Sequence, residues 1–199
     1  PPTSQQVEDF VNAQFLSSLL LEHSASPLRH YLEITALAKA PSELCGVDDS
    51  ACQLVFICGV EGSEAVHAEA FEAGLFDILN QVTSEHPGAA ELTAIVDRLE
   101  LVQRDIGSGT YPFGLQLMGR VLPAALYRSD PEPLLDLTPA LERLRRNIAD
   151  PDFVARLVRE NLIDNRHRVR VVMRPEENKA AADEAAERRR LEDLKRDMN

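Results

Sequence analysis

Hydrolytic, metal or covalent chemistry needs histidine, cysteine, serine or paired carboxylates at particular spacings, and those spacings can be read directly. The five histidines are His23, His30, His67, His86 and His167, and no two of them stand four residues apart. His30-Tyr31-Leu32-Glu33-Ile34 supplies HxxE but not the closing histidine. A zinc site of the HxxEH kind needs both imidazoles on one helix face, with the glutamate as base. Ile34 takes the second imidazole's place, so the site is not made. His67-Ala68-Glu69 has no partner nearby, and a catalytic zinc needs three protein ligands. The histidines therefore read as surface or packing residues.

Nucleophiles fare no better. There is no GxSxG elbow, and Ser108, between Gly107 and Gly109, lacks the strand–turn–helix setting that such a serine needs. Cys45, Cys52 and Cys58 are odd in number and form no CxxC, which argues for reduced thiols rather than a disulfide framework or a zinc ribbon. Cys58 is flanked by apolar residues and reads as inert. The stretch Gly107–Gly114 has no Gly-Lys-Ser/Thr ending and follows a helix, so it is a turn and not a phosphate loop. Arg166, Arg168, Arg170 and Arg174 have the chemistry to bind phosphate or a peptide carboxylate. Such a row is also the solvated face of an edge strand, kept charged against aggregation. The sequence thus offers no catalytic, cofactor-binding or metal-ligating residue, and no cofactor belongs to this segment.

Charge is divided along the chain. The net charge is -12, yet residues 1–140 carry 20 acids against 6 bases, and residues 141–174 carry 5 acids against 9 arginines. An acidic body repels phosphates and argues against nucleic-acid binding. The basic segment is suited to an acidic protein surface. No apolar run reaches the ~18 residues of a membrane span. Reduced-cysteine usage suggests a soluble protein of a cytoplasmic compartment, bacterial or organellar. The first residues, Pro1-Pro2-Thr3-Ser4-Gln5-Gln6, include no initiator methionine and lead straight into a helix, as in a chain cut from something longer.

The elements that would position these residues are mostly helical. Val7, Phe10, Val11, Phe15, Leu16, Leu19 and Leu20 cover more than one stripe of a helix ending near Glu22. Ser26-Pro27 reads as an N-cap with proline at the first helical position. Helices are expected over 64–82, with Ala68, Phe71, Leu75, Ile78 and Val82 on one face, and over 91–106, with Leu92, Ile95, Val96, Leu99, Val102 and Ile106. Another runs from Leu115 to Tyr127, with a kink near Pro123. Asp130-Pro131 starts a helix with Leu134, Leu137, Leu141, Leu144 and Ile148 at 3-4-3-4 spacing, and Asp150-Pro151 starts another. Gln53–Gly59 suits a strand covered on both faces, pairing with Ser42–Cys45 across a turn at Gly46–Ser50. Arg168–Arg174 alternates, with Val169, Val171 and Met173 on a buried side. Glu176–Asn199 is an apolar-poor helix that needs a partner outside the chain.

Several strings, in order, resemble one family. Ser24-Ala25-Ser26-Pro27-Leu28-Arg29 is similar to the corresponding segment of pitrilysin/insulinase-type metallopeptidases, the inverzincins, and of their presequence-protease branch in particular. So are Tyr111–Met118, Leu122–Tyr127 with Asp130-Pro131, and Leu162–Asn165 with His167-Arg168-Val169. The resemblance implies a helix-rich α/β (α+β) domain over residues 1–175, its helices packed on a mostly antiparallel sheet, and a linker helix over 176–199 that enters a helical hairpin between two halves. The strand that normally precedes the first helix is absent, so an incomplete sheet is expected. The resemblance further implies a non-catalytic, chamber-forming and hinge part of a zinc endopeptidase that degrades unfolded peptides. Zinc and HxxEH would lie in another domain, and this segment would be inactive alone. Its partners would be the remaining domains and the enclosed peptide, with no nucleic acid and no membrane. The competing reading is a helical interaction module, with no role in proteolysis, that binds a partner protein through the arginine row and the last helix.

Overall fold

The structure, a computed structural model, describes residues 6–104, 112–127 and 130–197. In chain order its helices are α1 (Val7–Leu21), α2 (Pro27–Ile34), α3 (Ala68–Glu85), α4 (Ala89–Arg104), α5 (Phe113–Leu126), α6 (Thr138–Asn147), α7 (Phe153–Val158) and α8 (Lys179–Asp197). Four short strands, β1 (Ala40–Pro41), β2 (Gly46–Asp48), β3 (Val55–Ile57) and β4 (Val60–Glu61), lie between α2 and α3. The protein is helix-rich with a small antiparallel sheet component. It divides into two units, residues 1–168 and 169–199.

The first unit is organised by α1 rather than by a sheet. Only Glu8 of its 15 residues is exposed, which follows from apolar side chains on more than one stripe. α2, α4, α6 and β2 all contact it. Phe15, Leu19, Leu20, Leu28, Leu32, Val96, Leu134, Leu144, Val154 and Val158 are the largest fully buried apolar side chains of the core. Each contributes roughly 1.5–3 kcal/mol by leaving water. α3 packs on α2 and α7, closing the far side.

Several helix starts follow one rule. Asp130, Asp136 and Asp150 each accept, through Oδ1, the backbone N–H two residues on: Glu132 at 3.0 Å, Thr138 at 2.9 Å and Asp152 at 3.0 Å. Such Asx turns satisfy amide groups that helix entry leaves without partners. The helix expected directly after Asp130-Pro131 is in fact a single 3-10 turn, Glu132–Leu134, and the chain restarts as α6 at Thr138. Leu134, Leu137, Leu141 and Leu144 are nevertheless all buried, so their spacing reported the core side through the break. α7 begins two residues after Pro151 and ends in a π-helical turn over Arg159–Ile163. α5 continues through Pro123. On α4, Leu92, Ile95 and Val96 are buried but Val102 is exposed. Ile106 lies outside the described residues, as do Ser108 and most of the 107–114 stretch.

The strand expectations need correction. β3 pairs antiparallel with β2, and β4 with β1, so the 42–45 stretch expected to pair is the bulge between two short ladders. Gly46–Asp48, expected as turn, is strand, because Gly46 takes φ +139, open to glycine, and Asp48 turns the chain one step later by accepting the Ser50 N–H at 2.9 Å. The strand is covered on one face only: Leu54, Phe56, Cys58 and Val60 pack on the core while Val55 is exposed. Arg168–Arg174 forms no strand. Val169 is 86% and Met173 89% exposed. Alternation alone does not make a strand, which also needs a ladder partner and a surface for its apolar side, and the described residues supply neither.

The charge division has an internal explanation. Arg143 pairs with Glu8 at 2.7 Å, and Arg145 bridges Asp97 at 2.6 Å and Glu100 at 3.0 Å. Part of the basic segment therefore folds against the acidic body. The second unit is simpler. Every described side chain of α8 is exposed, and its ion pairs are internal, such as Lys179–Asp183 at 3.3 Å and Arg188–Glu184 at 3.1 Å.

Candidate functional site

The HxxE string sits on α2 with His30 and Glu33 exposed. Glu33 is held by Arg29 Nε at 2.6 Å, and that hydrogen bond keeps its carboxyl below the usual range. Ile34 stands in the third place, 65% exposed. A carboxylate already paired with a guanidinium, beside one imidazole and an isoleucine, is not a zinc donor set. Among the described residues no three His, Cys, Asp or Glu side chains converge as metal ligands. The HxxE string on α2 thus does not fit a zinc.

The other polar candidates remain dispersed. His67 lies in the 3-10 turn before α3, its buried Nδ1 without a hydrogen-bond partner. His86 ends α3 in a left-handed conformation, φ 49, on the rim of a shallow cleft with Asp152, Arg156, Arg159 and Glu160. Arg156 there is paired with Asp150 at 2.9 Å, and Arg159 reaches Thr83 Oγ1 at 3.5 Å. Neither a nucleophile–base pair nor an anion cradle results. Arg168 lies over the Phe76 ring at 4.6 Å, a cation–π contact that takes it out of the expected arginine row.

One constellation escaped sequence reading. The bulge between the two ladders brings Cys45 and Cys58 together. Cys45 Sγ accepts the Gly59 N–H at 3.3 Å, with the Cys58 thiol as its other neighbour, and only when protonated does it donate to the Gly59 carbonyl, also at 3.3 Å. The Cys58 hydrogen bond lowers the Cys45 thiol to about 6, the Gly59 N–H adding to it against the cost of burial. Cys58 moves the opposite way, because it is the group that keeps the shared proton and because it is buried. All three cysteines are free thiols. Twelve residues separate the pair, so no local spacing announces it, and only the fold of the hairpin does.

No protein-family model matches the chain. It is 30% identical over 187 residues, 92% of its length, to presequence protease 1 of Arabidopsis thaliana, a chloroplastic and mitochondrial protein. It is 26% identical over 77% of its length to the mitochondrial presequence protease of Yarrowia lipolytica, and 27% identical over 90% of its length to protein HypA of Clostridium perfringens. The chain spans 17%, 15% and 18% of those proteins, about a sixth of the length of the curated relatives it matches. No helix among the described residues is long and apolar enough to cross a membrane. The chain is homologous to one segment of presequence proteases.

Proposed function

We propose that this chain is a non-catalytic part of a zinc endopeptidase of the pitrilysin type, forming chamber wall and hinge while the chemistry occurs in another domain. The observation that carries the reading is similarity to presequence protease 1 over 92% of the chain, and among the described residues no set of donors converges for zinc. Zinc, when bound elsewhere in such a protein, would polarise the peptide carbonyl and activate water. The residues of this chain would act by packing and by shaping the space for an unfolded peptide.

Two surfaces support a place within a longer protein. On α5, Leu115, Met118, Leu122 and Leu126 form an exposed apolar row at spacings of three and four residues. On α8, Leu191 and Leu194 are exposed. Monomers rarely leave contiguous apolar rows in water. The remaining domains of the same protein would cover them. The arginines of residues 141–174 that pair with Glu8, Asp97 and Glu100 weaken the reading as an independent interaction module, since part of the basic segment's charge is answered within the chain.

The test is metal analysis and cleavage of an unstructured peptide, by this chain alone and by the full reading frame that contains it. The expected result is no stoichiometric zinc and no turnover for the chain alone, with both present in the full protein. Stoichiometric zinc with turnover by residues 1–199 sinks the proposal.

A further inference from the structure

The thiol pair is independent of the peptidase reading and carries an inference of its own. Gly46 lies opposite Ile57, Val47 opposite Phe56, and Asp48 opposite Val55. Cys45 and Cys58 adjoin the Gly46–Ile57 pair, where this ladder ends, and Cys45 Sγ meets the Gly59 peptide next to Cys58 at 3.3 Å. Paired residues such as Gly46 and Ile57 have Cα atoms about 4.5–5.5 Å apart, so their neighbours Cys45 and Cys58 start close to the ~4.4–6.8 Å span of disulfides. Both cysteines pack against the hydrophobic core, and the Cys58 thiol is the hydrogen-bonding neighbour of Cys45. Cys52 lies in the connection between β2 and β3, off this ladder. The groups around the pair are the Gly59 peptide, Arg29 and Tyr31 of α2, and Ser42 in the bulge.

We propose that Cys45 and Cys58 form a thiol-modification site that reacts with small disulfides and closes, by thiol–disulfide exchange, into a cross-strand bridge. Cys45 is the attacking thiolate, stabilised by the Gly59 N–H and the Cys58 thiol. It attacks one sulfur of a disulfide such as oxidised glutathione. A Cys45–glutathione bond forms and the other glutathione leaves as thiolate. That step removes the negative charge that holds Cys58 protonated. Cys58 then loses its proton to solvent, attacks Cys45 Sγ, and releases the second glutathione thiolate. In sum, two protein thiols lose two electrons and two protons, and one oxidised glutathione becomes two reduced ones. The product ties β2 to β3 and leaves Cys52 free.

The experiment exposes the reduced full chain to oxidised glutathione, quenches with acid, alkylates remaining thiols and maps peptides by mass. The expected product is a Cys45–Cys58 disulfide with Cys52 alkylated, restored to three alkylated thiols by excess reduced glutathione. In Cys58→Ser the glutathione adduct stops on Cys45, and in Cys45→Ser the label on Cys58 falls at least tenfold. The wild-type map needs no variant to fold. A bridge to Cys52, a glutathione adduct persisting on wild-type Cys45, or an unmodified Cys45–Cys58 pair when Cys52 is already glutathionylated would overturn the proposal.

Discussion

Gly74 shows how one residue type is dictated by contact rather than by helix propensity. It sits inside α3, where alanine would ordinarily gain about 1 kcal/mol. A Cβ there would lie 2.7 Å from Tyr31 Cζ and closer still to its hydroxyl. Tyr31 has little room to yield, because it stacks on Phe71 with centroids 5.9 Å apart and donates to the Phe71 carbonyl at 3.3 Å. Overpacking costs about 1–3 kcal/mol. Gly74→Ala is expected to lose about 1 kcal/mol net in urea unfolding, and the loss should shrink in a Tyr31→Phe background, which removes the nearest atom. An undiminished loss there would mean the clash is not with the tyrosine. Cys45 makes the second prediction at this scale. The Cys58 hydrogen bond lowers the Cys45 thiol to about 6, which favours the thiolate at pH 7. Its alkylation rate should therefore rise much less between pH 7 and pH 8 than that of an ordinary thiol of pKa about 8.5, which rises roughly eightfold. An eightfold rise would place the proton on Cys45 instead.

At the scale of elements, the acid end of the pH range probes the entry to α7. Arg156 and the Asp152 N–H both hold the Asp150 carboxyl below its ordinary 3.8. A carboxyl depressed in the folded state stabilises fully above its unfolded value and ceases to do so as pH falls through its folded one. Asp150→Asn keeps an acceptor for the turn but loses the charge. The wild type should thus exceed the variant in stability above about pH 4, with the difference fading below 3.8, and a difference independent of pH would count against the Arg156 pair. Helices were legible in the sequence because their signals are local: Leu134, Leu137, Leu141 and Leu144 marked the buried side even though the helix proved to be two pieces. Strands were legible only as apolar runs. Whether Val55 faces core or water depends on which residue sits opposite, and the bulge at Ser42–Cys45 shifts that register. The same nonlocal register hid the Cys45–Cys58 pair. Arg168–Arg174 failed for a related reason, since its alternation describes a strand whose partner the described residues do not include.

Across the whole molecule, burial is concentrated in residues before Arg168, and from Val169 to Arg196 no side chain is buried. Most of a helix's stability in a protein comes from packing of one face, which α8 does not have among the described residues, and its internal surface ion pairs add little. Two outcomes follow that separate stability from function. Deleting residues 176–199 from this chain removes no core residue, so its thermal midpoint should move by less than about 2 °C, which for a domain of this size is under about 1 kcal/mol. By contrast Phe15→Ala, at the centre of α1, should cost about 3–5 kcal/mol. If α8 joins two halves of a longer peptidase, the same deletion made in the full-length protein should abolish peptide cleavage while the first unit stays folded. Hydrogen exchange reads both conditions at once. The amides of α8 should exchange quickly in the isolated chain and gain at least tenfold protection in the full-length protein, because packing against a partner is what the helix lacks. Equal exchange in both settings, with cleavage retained after the deletion, would leave α8 a solvated tail and remove the hinge from the proposal.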